Sequence, residues 1–197
     1  MWEERFSTDD YVFGKAPALF MESHEKMFQA GESVLSVADG EGRNSVWLAK
    51  RGLNVTALEF APSAVEKARK LAADQNVSLT HEEADVFNWD WPTDKFDHVL
   101  GVFIQFVGPD DRKRLFDKMK AAVAPGGMIA LHGYTPKQLE YKTGGPSALE
   151  NLYTPEILED LFGGWDIVEN RDYEKELSEG KGHSGRSALI DFVARKP

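Results

Sequence analysis

Gly40 and Gly42 stand between a short β-branched run and the opening of a helix, and an acidic residue, Glu59, ends the next apolar run. Glycines let a ligand approach the backbone closely, and a carboxylate at the following strand end can accept hydrogen bonds from ribose hydroxyls. The chemistry available to the stretch Ser33 to Lys50 is therefore to hold a nucleotide-like cofactor over the end of a first parallel strand. A tight turn with no ligand is the alternative, since glycine is the default wherever φ must be positive. A dinucleotide fingerprint needs G-x-G-x-x-G, and Ser45 occupies the third position here.

The elements that must position these residues alternate between strand and helix. Val46, Trp47, Leu48 and Ala49 form the buried side of a helix ending at Gly52, and Asn54 to Glu59 reads as a second strand. Pro62 and Ser63 open a helix with Ala64, Val65, Ala68, Leu71 and Ala72 on one face. Val77 to Thr80 is expected as a third strand, Phe96 to Phe106 as a fourth, and Met128 to Leu131 as a fifth. Between the last two, Asp110 and Asp111 are expected to cap a helix that Pro125-Gly126-Gly127 stops. After a loop-rich segment from Thr135 to Asn151 come a short helix, Pro155 to Phe162, and two strands, Trp165 to Val168 and Ala188 to Ala194. With no room for a helix between them, these last two should pair antiparallel. Ahead of the first strand, Trp2, Phe6, Tyr11 and Phe13 and the residues Ala18 to Gln29 pattern as an amphipathic cover, either packed on the sheet or closing over a pocket.

Composition narrows the function classes. The chain has 197 residues and a formal net charge of −10, so a nucleic-acid backbone would meet an unfavourable average field. It has no cysteine, which removes disulfides, thiolate catalysis and Cys-based metal sites. The five histidines lack metal-binding spacing, and no metal is expected. The first ten residues are acidic and polar where a secretory signal needs basic then apolar ones, and no uncharged run is long enough for a membrane helix. A single soluble, cytoplasmic domain over residues 1–197 is expected, with 1–32 as the cover segment, as a monomer or homodimer free of membrane and nucleic acid.

The order of cover segment, βα units and terminal hairpin resembles the class I S-adenosylmethionine (SAM) methyltransferases. The resemblance is carried by VLSVADGEGRN at 34–44, VTALEFAPSAVEKARKLA at 55–72, Asp85 after the third strand and PGGMIALHGYTPKQL at 125–139. TGGP at 143–146, LYTPEIL at 152–158 and EGKGHSGRSALIDFVARKP at 179–197 are similar to a narrower branch, the tellurite-resistance-type and thiopurine-type small-molecule methyltransferases. The resemblance implies an α/β, Rossmann-like fold: a mostly parallel seven-stranded sheet with a C-terminal antiparallel strand and helices on both faces. It implies that SAM is the cofactor and S-adenosylhomocysteine the product. The backbone from Ala38 to Gly42, with Asp39, Gly40 and Asn44, would line the methionine end. Glu59 would take the ribose hydroxyls, Phe60 would lie beside the adenine, Asp85 would accept from the adenine amino group, and Val86 and Phe87 would complete that end. Val102 to Gln105 would lie near the sulfonium.

Substrate-side candidates are Tyr11, Gln105, Tyr134 and His183; no catalytic group is assigned, because in-line displacement from a sulfonium is served mainly by positioning. His183 is expected in an exposed Gly-rich turn, where a neutral imidazole could take a proton from a thiol or hydroxyl acceptor. Glu59 and Asp85 could instead be caps or solvated strand ends, Asn44 a helix cap, and Phe60 and Phe87 core residues. Ser36 stands where relatives have an acid, and Ala38 where they have glycine. Ala38 is expected to cost little on the premise that its φ is negative. The alternatives to a small-molecule methyltransferase acting on a thiol, oxyanion or metalloid acceptor are a non-catalytic SAM-binding protein and a nicotinamide-dependent oxidoreductase.

Overall fold

A computed structural model describes residues 2–197. The elements in chain order are α1 (Trp2–Phe6), α2 (Leu19–Ser23), β1 (Ser33–Val37), α3 (Arg43–Lys50), β2 (Asn54–Glu59), α4 (Pro62–Asp74), β3 (Thr80–Glu83), β4 (Phe96–Val102), α5 (Pro109–Ala122), β5 (Val123–Tyr134), α6 (Gln138–Tyr141), α7 (Pro155–Leu161), β6 (Asp166–Glu179) and β7 (His183–Arg195). The seven strands form one sheet in the order β3-β2-β1-β4-β5-β7-β6, mostly parallel with a C-terminal antiparallel pair. This is the Rossmann-like α/β architecture that the resemblance implied. The chain divides into two compact units, Met1–Asp90 with Glu179–Gly182, and Trp91–Ser178 with His183–Pro197. Among the described residues no helix is long and apolar enough to cross a membrane.

In the first unit β1 pairs parallel to β2 with Val37 opposite Leu58, and β2 pairs parallel to β3 with Glu59 opposite Glu83. Val34, Leu35, Val37, Ala57 and Leu58 are buried, as parallel strands covered by crossover helices require. β3 lies three residues later than the apolar pattern suggests. Val77 and Leu79 are partly buried against Val46, Leu71 and Ala72, so they close the end of α4, and the strand itself is the polar edge sequence Thr80–Glu83. The expected cover segment forms two short helices and a 3-10 turn, Glu25–Met27, rather than one long helix.

In the second unit β4 and β5 are parallel, and β5 and β7 antiparallel with His132 opposite Asp191. β4 ends at Val102, short of the expected Phe106, and β5 begins at Val123, so Pro125, Gly126 and Gly127 lie inside a strand rather than ending a helix. Gly127 permits this: a Cβ there would meet the Asp97 carbonyl at 2.8 Å. Gly108 occupies the N-cap of α5, leaving Asp110 and Asp111 in its first turn, where they complement the helix dipole rather than cap it. β6 and β7 are fourteen and thirteen residues long, much longer than their apolar runs, and the turn between them shrinks to three residues.

One contact ties helix to helix beside the glycine turn. Gly42 holds φ +87°, and a Cβ on it would lie 2.7 Å from Ala68 Cβ and 2.9 Å from Ala68 Cα. Gly42→Ala is expected to lower stability by about 2 to 4 kcal/mol, combining left-handed strain with overpacking. Urea unfolding measures it, and a variant as stable as the parent would mean that α4 is not seated on the turn.

Candidate functional site

The turn from β1 into α3 is built from left-handed residues. Ala38 has φ +50°, Gly40 φ +64° and Gly42 φ +87°. The premise of a negative φ at Ala38 is therefore wrong: this alanine holds a conformation that costs an L-residue roughly 1 to 2 kcal/mol. Gly40 faces open space apart from Phe6, whose Cζ would lie 3.7 Å from an added Cβ.

Each acid of the turn is held by donors of the chain itself. Asp39 accepts from the Ser36 hydroxyl at 2.7 Å through Oδ1 and from the Ser45 hydroxyl through Oδ2. Its carboxyl points between β1 and α3, so only its backbone remains for a ligand. Burial pushes its pKa up to about 6; the two serines oppose that shift and Glu59 adds to it. Glu41 is buried, accepting from Val12 N at 2.8 Å and pairing with Lys67 Nζ at 2.8 Å. Asn44 does not cap α3; its Oδ1 accepts from Ala18 N at 2.9 Å. Arg43 pairs with Glu179 at 2.8 Å, and Glu179 in turn accepts from Leu19 N. The turn and the start of α3 thus fasten residues 12 to 19 by side chain to backbone. Glu41 and Arg43 were not foreseen, since charge in a turn ordinarily means solvation.

Glu59 closes the other side of the turn. Its Oε2 accepts from Gly40 N at 2.8 Å, and Oε1 from Phe60 N and Ala61 N at 2.9 Å each. Burial raises its pKa, against the pull of those amides. A carboxylate oxygen accepts two hydrogen bonds, so Oε2 keeps a lone pair for a hydroxyl donor. Asp85 accepts from Phe87 N at 2.9 Å and Asn88 Nδ2 at 2.7 Å, one donor per oxygen, and likewise keeps acceptor capacity. The Ala84 N–H donates to the Glu59 carbonyl at 2.8 Å, which brings the two strand ends together. Phe60 is 64% exposed, so it is not core, and its ring is open to stacking; Val86 is buried. These acceptors and surfaces fit an adenosyl group: two carboxylates with spare lone pairs, an exposed ring and a turn with an open face.

Tyr11 belongs to the helix layer of this unit. Its hydroxyl donates to the Lys67 carbonyl at 2.9 Å and its ring packs with Val46, Leu71 and Ala72.

In the second unit Val102 ends β4, and Phe103 follows with φ +58°, an outlier for a bulky side chain. Its N–H donates to the His132 carbonyl at 2.7 Å. Its ring centroid lies 4.1 Å from His183, 4.6 Å from His132 and 4.9 Å from Tyr134. His183 is therefore buried at the start of β7, not exposed in a Gly-rich turn, because the turn ends at Gly182 and the imidazole docks on Phe103. Gln105 spends its amide on the backbone of Tyr134: Oε1 accepts from Tyr134 N at 2.6 Å and Nε2 donates to Tyr134 O at 2.8 Å. The structure thus gathers Gln105, Tyr134 and His183 around Phe103, with Gln105 as a brace. Beneath them His132 donates through Nδ1 to Asp191 at 2.7 Å, and Tyr173 and Arg171 also reach that carboxylate. Phe103 falls within the stretch Val102 to Gln105 that the resemblance singled out, whereas no sequence signal marks the His132–Asp191 pair, whose proximity depends on strand register.

Folded-state burial of Asp39 has a definite sign. A carboxyl whose folded pKa exceeds its unfolded 3.8 binds more protons folded than unfolded between about pH 4 and 6, so its contribution to stability falls as pH rises through that window. Asp39→Asn removes this dependence. The variant is expected to gain on the parent by up to roughly 3 kcal/mol between pH 4 and 7; parallel melting curves across that range would show that the carboxyl is not buried.

Residues 34–127 match the model of a methyltransferase domain. The uncharacterized protein Rv1405c of Mycobacterium tuberculosis is 29% identical over 131 residues, 66% of this chain and 46% of that protein. The demethylmenaquinone methyltransferase of Clavibacter sepedonicus is 35% identical over 103 residues, 52% of this chain and 41% of that protein. The chain spans about half the length of the curated relatives it matches. Among solved structures, N-methyltransferase NodS from Bradyrhizobium japonicum in complex with S-adenosylhomocysteine superposes with a TM-score of 0.72 at 15% identity, covering 100% of this chain and 96% of that one. The match to a methyltransferase domain over residues 34–127 thus falls on the glycine turn and the parallel strands of a Rossmann-like sheet.

Proposed function

We propose that this chain transfers a methyl group from SAM to a small-molecule acceptor. The observation that carries the reading is the family match over 34–127, which spans the glycine turn, Glu59, Asp85 and Phe103 together. When bound, SAM supplies an electrophilic methyl on a sulfonium. The backbone of residues 38 to 42 would hold its methionine end, Glu59 its ribose hydroxyls through the spare lone pair on Oε2, and Phe60, Asp85, Val86 and Phe87 its adenine. Asn44 would act indirectly, by holding Ala18. Val102 and the aromatic group Phe103, Tyr134 and His183 would line the acceptor. Orienting the acceptor and excluding water are what such a wall contributes, and burial of the Tyr134 and His183 rings supports both.

The narrower resemblance to tellurite-resistance-type and thiopurine-type enzymes supports thiols, oxyanions and metalloids as the acceptors to screen first, and the net charge of −10 weighs against a nucleic-acid acceptor. A small-molecule acceptor and a soluble cytoplasmic setting belong to the same proposal.

Calorimetry with SAM and with NAD tests the cofactor; heat from NAD alone would overturn the reading. Glu59→Gln keeps an acceptor toward the amides and is expected to weaken SAM binding by about 1 to 3 kcal/mol, the scale for a hydrogen bond to a charged group. Unchanged affinity would move the ribose elsewhere. His183→Ala is expected to lower turnover at least tenfold while changing SAM affinity less than threefold, an estimate on the scale of lost positioning; equal losses in both would make His183 a packing residue only.

A further inference from the structure

Asp39 is the acid of the glycine turn whose two oxygens each accept from a serine hydroxyl, with a further bond from the Ser45 backbone and no cation beside it. Ser36 belongs to β1 and Ser45 to α3, so the carboxylate spans the strand that enters the turn and the helix that leaves it. Ser45 has a second acceptor within reach, the Gly42 carbonyl at 3.2 Å. A hydroxyl has one proton to give. Ionised Asp39 takes it; protonated Asp39 would donate its own proton to Ser45 Oγ and send the serine proton to Gly42 O. That carbonyl already accepts the first helical hydrogen bond of α3, from Val46 N at 2.9 Å.

We propose that Asp39 is the positioning residue of the glycine turn, a proton-operated clamp whose ionised form fixes the backbone for the cofactor and whose protonation hands Ser45 to Gly42 and loosens it. This rests on the reading of the turn as the SAM site. Its carboxyl faces Ser36 from β1, Ser45 from α3 and the charge of Glu59 from β2, while Glu41 and Arg43 are engaged with Val12, Lys67 and Glu179. Burial brings its titration up to about pH 6, which places the exchange in an accessible range. Because the carboxylate points into the protein, it acts on the turn and not on the sulfonium. SAM and S-adenosylhomocysteine must therefore feel it equally.

The test is the dissociation constant of each ligand for the parent protein and for Asp39→Asn, by calorimetry from pH 5 to 7.5, with thermal melts to verify folding. At pH 7.5 the variant is expected to bind both ligands roughly tenfold more weakly, the scale of one charge-assisted hydrogen bond. At pH 5, where the parent is itself neutral at Asp39, the ratio should approach one. A ratio that stays constant with pH, or a loss confined to SAM, overturns the clamp while leaving the site intact. Independently of any ligand, the ¹³C carboxyl resonance of Asp39 in the free protein should titrate near pH 6; a midpoint near 4 also overturns it. Failure of the parent to bind either ligand at any pH, with that titration in place, would instead remove the SAM reading.

Discussion

Three left-handed residues in five, Ala38, Gly40 and Gly42, carry the chain from β1 into α3, and the proposed hold on the methionine end of the cofactor depends on that reversal. Such backbone persists only where its surroundings over-determine it. Here Asp39 N is tied to the Leu58 carbonyl at 2.9 Å, Gly40 N to Glu59, the Asp39 carboxylate to a serine on either side, and Gly42 to the surface of α4. β1, β2, α3 and α4 all contribute restraints, so the turn has its shape before any ligand arrives. Rigid preparation of this kind lowers the ordering cost of binding.

The acids around the turn are all engaged within the chain. A run of Asp39, Glu41 and Glu59 would repel itself if left in a common pool of solvent, yet each is directed to separate donors: serine hydroxyls, the amide of Val12 with Lys67, and the amides of Gly40, Phe60 and Ala61. Two of these carboxyls fasten the turn to itself and the third fastens the N-terminal segment. In the second unit the strained residue is Phe103, held by the His132 carbonyl and by rings on β5 and β7. Both strained positions sit where a strand has just ended, the place where open α/β sheets bind ligands.

The fold was legible in the sequence wherever an element was buried on its own terms. β1, β2, α4 and the apolar half of β4 show uninterrupted or helical apolar patterns, and the structure has them where expected. β3 was misplaced because its apolar neighbours Val77 and Leu79 serve the end of α4, while the strand itself is a polar edge. β6 and β7 were underestimated because a long hairpin with charged faces has no apolar signal at its tip. Within the candidate site, Gly40, Gly42 and Glu59 stand at the turn and strand end that local motif spacing marks, and Asp85 follows β3 as the resemblance implied. His183 was misjudged as exposed because its burial is decided by Phe103, eighty residues earlier in the chain, roughly the separation at which only tertiary register can speak. The same limit hid the partners of Glu41 and Asn44, which are Val12 and Lys67 for the first and Ala18 for the second.

The closeness of Gly42 to Ala68 makes a turn and a distant-looking helix position a single mechanical part. Nothing about Ala68 suggests a role: it is small, buried and in the middle of α4. Yet a bulkier side chain there could be accommodated only by tilting the helix or lifting the loop, and either movement would travel straight to the amide of Gly40. Genetic variation at a silent core alanine would then be read out as altered ligand affinity, so sorting variants by their distance from a bound molecule would overlook one of the residues that governs it.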